Sequence, residues 1–230
     1  MRQPSWLALA VVAAGLTAPA SASLLPVADN FVYQALPSLN MVNLGLGELL
    51  TSGRSATGHS TQSYIRFDLT GVVLNPGDTA TLKLWVRDNN PDPGSGAPQF
   101  GVAPTPDFPA IADVSLAASS WATNTINWLN RPAALGSPVA SATISGINRW
   151  VEFDVTSAVQ SWLANPASNF GFVITQPTVV APPTGGLVYA VYNSSRNPGG
   201  NPPQLVITPI PEPGSLLWLG GTLLLGLRRR

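Results

Sequence analysis

Ser63-Tyr64-Ile65-Arg66-Phe67-Asp68-Leu69 alternates strictly between two kinds of side chain. Such period-two alternation marks a half-buried strand, because successive side chains point to opposite faces. Ile65, Phe67 and Leu69 form the inward set, and Tyr64, Arg66 and Asp68 the outward one. Residues 80–88 repeat the pattern with Leu82, Leu84 and Val86 inward and Lys83, Trp85 and Arg87 outward. Residues 149–155 repeat it again, with Val151, Phe153 and Val155 inward and Trp150, Glu152 and Asp154 outward. Further strands are expected at 31–34, 170–176, 186–194 and 203–209. Turns such as Asn75-Pro76-Gly77-Asp78 and Asn197-Pro198-Gly199-Gly200 separate them.

One segment departs from the alternation. Val159, Trp162 and Leu163 follow helical spacing. Thr156 or Ser157 is placed to cap the start, and Asn165-Pro166 to stop the chain. Many short strands with Pro/Gly turns and one short helix predict an all-β protein, a jelly-roll β-sandwich. No repeat of the solenoid kind is visible.

The two ends read differently. Arg2, the apolar run 6–16 and Ala20-Ser21-Ala22 reproduce the three parts of a secretory signal peptide over residues 1–22. The alternative, an N-terminal anchor, asks for a longer run. Residues 23–208 then form one domain, and 209–230 a hydrophobic C-terminal tail. The run 214–227 is uncharged but short of the roughly 20 residues a spanning helix needs. It also carries Gly220, Gly221 and Gly226, which weaken a helix. A lasting tail anchor is the alternative reading.

Composition narrows the function. The chain has no cysteine, so neither disulfides nor a cysteine zinc site can hold it, and a hydrophobic content of 45% supplies a core instead. Net charge is zero. Without the two end segments, seven basic residues face ten acidic ones, which argues against a nucleic-acid partner. The single histidine, His59, lies in a Gly/Ser/Thr-rich stretch at 52–63 with no spacing of a catalytic triad. Glu48 and Glu152 are the two glutamates of the domain and sit in no paired-acid motif. The expectation is a protein that is not an enzyme.

The outward residues carry the functional expectation. Tyr64, Arg66, Lys83, Trp85, Arg87 and Trp150 would form a face of aromatics interleaved with cations if their strands were neighbours. Sugar rings pack their C–H faces on aromatic rings, and their hydroxyls and carboxylates take hydrogen bonds from basic side chains. Such a face suits a polysaccharide, an acidic one above all. A solvated face laced by cross-strand ion pairs reads equally from the same residues. Trp121, Trp128 and Trp162 are expected in core or loop packing. The polar stretch 88–94 misses the EF-hand pattern, since Gly94 falls one place late and Gln99 stands at position twelve.

Several motifs occur in order: Ala28-Asp29-Asn30-Phe31-Val32, residues 63–68, residues 82–86, W-x-x-x-T-I-x-W-x-N-x-P at 121–132, W-V-x-F-D-V-T-x-x-V-x-x-W at 150–162, Tyr192-Asn193-Ser194-Ser195-Arg196, and residues 203–207. In this the chain resembles the DNRLRE-type domain, a secreted jelly-roll module related to carbohydrate-binding modules found beside alginate and other polysaccharide lyases. The closing motif has one residue more than the family's Y-x-S-R, and Asn197 replaces the acid that often comes after it. The resemblance implies a polysaccharide ligand, adds Arg196 to the candidate contacts and implies a structural calcium ion with Asp29 as its ligand. Asp68 and Asp154 are the candidate partners.

Pro211-Glu212-Pro213, the apolar run and Arg228-Arg229-Arg230 are similar to a PEP-CTERM sorting tag. That tag is recognised and removed by a membrane transpeptidase, an exosortase, in Gram-negative bacteria that make exopolysaccharide. The resemblance implies transient membrane contact through the tail and a secreted or cell-surface protein. A structural or adhesive matrix protein without a glycan site, and a polysaccharide-degrading enzyme, are the alternatives to a binding module.

Overall fold

A computed structural model describes residues 21–34, 43, 47, 49–54, 60–88, 101–183 and 185–210. The readings made on 1–20, 211–230, His59, Glu48 and 89–99 lie outside the described residues. Residues Ser21–Pro209 form a compact unit. Its strands are β1 (Ala22–Leu24), β2 (Pro26–Gln34), β3 (Leu49–Gly53), β4 (Ser60–Phe67), β5 (Thr79–Arg87), β6 (Ala110–Ala117), β7 (Ala134–Ile144), β8 (Arg149–Asp154), β9 (Phe172–Thr175), β10 (Tyr189–Asn193) and β11 (Gln204–Thr208). The helix α1 (Thr156–Ala164) lies between β8 and β9. Strand β1 starts one residue before the cleavage point read from the sequence.

The strands form one curled antiparallel sheet in the order β1-β11-β5-β10-β3-β4-β9-β6-β7, with β8 on β5 and β2 on β4. The curl brings two layers face to face around a shared core, a β-sandwich. Ile65 and Phe67 of β4 meet Leu82, Leu84 and Val86 of β5 and Val151 and Phe153 of β8 in that core, all buried. The inward sets read from alternation are therefore the core. Strands β6 and β7 had no such signal, because alanine, serine and threonine fill most of their positions.

Helix α1 buries Ala158, Val159 and Trp162, and the Trp162 ring lies 4.7 Å from that of Phe172. Thr156 does not cap it from outside but is its first residue. The Asp154 carboxylate accepts the Thr156 N–H at 3.0 Å and its hydroxyl at 2.6 Å. Among the described residues, no helix is long and apolar enough to cross a membrane. Gly171, at φ +88°, lets the start of β9 press on β4: a Cβ there would lie 2.4 Å from the Ile65 carbonyl oxygen.

Candidate functional site

The outward side of β4 is not a solvent face, which corrects the placement expected for Tyr64. Residues 118–133 fold over it. Trp121, Ile126 and Trp128 from this segment join Val32, Tyr64 and Val173 in a second hydrophobic cluster. Tyr64 is fully buried, its ring 5.7 Å from Trp121 and edge-on to it. Its hydroxyl donates to the Pro132 carbonyl at 2.7 Å. Burial pushes the phenol well above its usual range, so it stays neutral. A side chain so enclosed offers nothing to a ligand. The Arg66 guanidinium also lies over Trp121, 5.8 Å from the ring centre.

At the rim of this cover lies an open cleft of about 500 Å³, lined by Gln34, Arg54, Gln62, Trp128, Arg131 and Gln176 among others. Arg131 is held on three sides. Its guanidinium stacks 3.5 Å above the Trp128 ring, its Nε donates to Gln62 Oε1 at 3.1 Å, and an Nη donates to the Trp128 carbonyl. Two of its five N–H donors are thereby used, and the rest of the fork is available. Arg54, an exposed side chain, spends one donor on the Pro177 carbonyl at 3.1 Å. No acidic residue is among the described lining, and neither arginine has an ion-pair partner among the described residues. Partial burial lowers the pKa of Arg131, a sign that its charge is under-solvated. Gln176, only 3% exposed, donates to the Val188 and Thr178 carbonyls at 3.0 Å each, while its Oε1 is buried without a hydrogen-bond partner. Sequence reasoning missed this cleft. Its only local signal was the variable position of W-x-N-x-P, filled here by Arg131.

The outward side of β5 and β8 is half-buried to exposed. Lys83 stands opposite Glu152 and Trp85 opposite Trp150 in the strand register. The lysine and glutamate form an ion pair at 2.8 Å. The indoles meet edge to face with centroids 5.4 Å apart, and the Lys83 ammonium lies 5.4 Å from the Trp150 ring centre. Both tryptophans are half-buried, as is Arg87 one pleat beyond Trp85. Strand β4 pairs with neither β5 nor β8, so the single face expected from three strands divides in two.

Arg196 and Asp29 face each other rather than a ligand. Asp29 is fully buried and pairs with the Arg196 guanidinium at 2.7 Å. Ser195 gives it an N–H at 2.6 Å and a hydroxyl at 2.9 Å. The serine of the closing motif that precedes Arg196 thus supplies two bonds to this carboxylate. A second Arg196 nitrogen donates to the Asp29 carbonyl at 3.0 Å, clamping β2 to the chain after β10. Asp68 accepts the N–H and hydroxyl of Thr70 at 2.9 and 2.7 Å. Asp154 does the same with Thr156. Among the described residues no three His, Cys, Asp or Glu side chains form a group able to hold a metal ion. A calcium cage needs converging oxygens, whereas each of these three carboxylates is committed to N–H and O–H donors elsewhere. Asp29, Asp68 and Asp154 are not brought together in one group.

A β-sandwich that sets indole rings and guanidinium forks on its outer surfaces carries the equipment of a sugar-binding domain. Residues 20–209 match the model of carbohydrate-binding module family 96, and the chain belongs to that family. The match spans the whole compact unit. No curated protein matches the chain.

Proposed function

We propose that the protein is a secreted, non-catalytic module that binds an acidic extracellular polysaccharide in the Arg54–Arg131 cleft. The observation that carries this reading is a pair of guanidinium groups with spare donors and no carboxylate in the described lining. A sugar carboxylate accepts two parallel N–H bonds from such a fork. The sugar hydroxyls meet Gln34 and Gln62. In this reading the 211–230 tail is a PEP-CTERM tag that an exosortase removes after transient membrane contact, leaving the module at the surface or in the exopolysaccharide of a Gram-negative cell.

Calorimetry of the full chain with alginate hexasaccharide tests it. Binding should weaken as salt rises and fall at least tenfold in Arg54→Gln and Arg131→Gln, since a charge-assisted hydrogen bond contributes about 1.5–3 kcal/mol. Folded protein that ignores alginate, or arginine variants that bind it unchanged, would sink the cleft. Ignoring every polysaccharide would move the reading to an adhesive matrix protein. Mass spectrometry of the secreted chain tests the tag: retention of Arg228-Arg229-Arg230 would exclude processing.

A further inference from the structure

We propose that Trp85 and Trp150 form a second site, for an uncharged β-linked hexose chain, so that one module holds two different polysaccharides. The site is separate from the acidic cleft and does not depend on it.

Three observations support this. The first is shape. The two indoles meet edge to face at 77° on a paired, antiparallel stretch of β5 and β8, and both are partly open to solvent. An edge-to-face pair leaves ring surface for stacking beyond the face of Trp150 that Lys83 overlies, and the pair's own contact fixes it in place. Beside Trp150 a groove of about 270 Å³ runs between β8 and β7, bordered by Thr143 and Glu152. These supply acceptors for sugar hydroxyls at the edge of the aromatic platform.

The second is charge. The outward row holds Lys83 and Arg87 against Glu152 and Asp154, and Arg149 lines the adjoining groove. Lys83 is engaged by Glu152 and also lies over the Trp150 ring. At the indole pair itself an arriving carboxylate would find that ammonium taken and would be repelled by Glu152. An uncharged chain meets neither obstacle, so the face complements a neutral sugar where the cleft complements an acidic one.

The third is direction. Leu84 and Val151 point into the same core that Ile65 and Phe67 enter, from strands that do not pair with β4. Alternation then sends Trp85 and Trp150 to the outward side of β5 and β8, and Gln62 of the cleft to the outward side of β4. Two chains can be held at once, and the module links them.

The test titrates the full chain with cellohexaose and alginate hexasaccharide, following indole N–H signals by NMR. Cellohexaose should shift the Trp85 and Trp150 signals and leave Trp121 and Trp128 unmoved. Its affinity should fall at least tenfold in Trp85→Ala and stay unchanged in Arg54→Gln. Protein captured on alginate beads should retain labelled cellohexaose. The wild-type shifts decide the matter even if Trp85→Ala does not fold. A folded wild type without those shifts, or competition between the two sugars, would overturn the second site. Loss of alginate binding alone would sink the acidic reading and leave this one standing.

Discussion

Strands β4 and β5 are written in the same alternating code, and their inner sides meet in one core. Their outer sides have opposite fates. That of β5 is a half-buried row of Lys83, Trp85 and Arg87, while that of β4 is roofed by residues 118–133, with the fully buried Tyr64 beneath Trp121. Alternation separates the two sides of a strand by hydrophobic demand. It does not say whether the second side meets water or another part of the chain.

The largest effects should come from taking away the roof. Trp121→Ala removes a ring that packs on Tyr64 and donates to the Phe170 carbonyl at 2.8 Å. It should cost about 3–5 kcal/mol in a urea melt. Trp85→Ala, at a half-buried position packed on Trp150, should cost less, about 1–2 kcal/mol, and act on binding as well. Equal losses at the two positions would erase the distinction between the two faces.

Next in size is the clamp beyond the roof. Arg196→Ala leaves the fully buried Asp29 carboxylate without its cation and should cost about 3 kcal/mol. The arginine is 31% exposed at its side chain, which holds the figure at the low end of the range for buried pairs. A melt unchanged by this substitution would free Arg196 to be read again as a ligand contact. Tyr64→Phe comes third. It keeps the ring but strips the donor from the Pro132 carbonyl, and about 1–2 kcal/mol should be lost. Loss of that bond also loosens the segment that carries Arg131, so alginate affinity should fall with stability in Tyr64→Phe and not in Trp85→Ala.

These contrasts show what could be read in the sequence. The inward rows of β4, β5 and β8 were legible because each large apolar residue serves a single core. The pairing of Trp85 with Trp150 was half legible: both rows were visible, but which strands lie side by side is decided by long-range pairing. Strands β6 and β7 were not legible, since Ala112, Ala140 and Ala142 carry too little apolar surface to mark a side. The cleft was hidden for another reason. Arg54, Arg131 and Gln176 come from three distant segments, and their spare donors and acceptor are consequences of assembly. The reassignment of Arg196 and Asp29 to each other rests likewise on a contact spanning β2 and the turn after β10.

The smallest predicted effect concerns a device found after β4 and again after β8. Asp68-Leu69-Thr70 ends β4 and Asp154-Val155-Thr156 ends β8, and in each the carboxylate takes the N–H and hydroxyl of the threonine two residues on. Those bonds favour the ionised acid and lower both pKa values. The stabilisation is therefore complete above the unfolded pKa of about 3.9 and disappears as pH falls through the lower folded value. The two copies lead into different structures: Asp68 opens a turn, whereas Asp154 precedes the first turn of α1, whose N-terminal N–H groups favour a negative charge. Asp154→Asn keeps an acceptor but removes the charge. It should cost about 0.5 kcal/mol at pH 7, and the gap should close toward pH 2 as the wild-type acid itself becomes neutral. Asp68→Asn should show the same direction with a smaller gap, because no helix stands behind it. Equal gaps in urea melts at pH 7 would mean that the local threonine bonds, and not the helix, set the value of the charge. A gap for Asp154→Asn that persists undiminished at pH 2 would mean that shape rather than charge matters there.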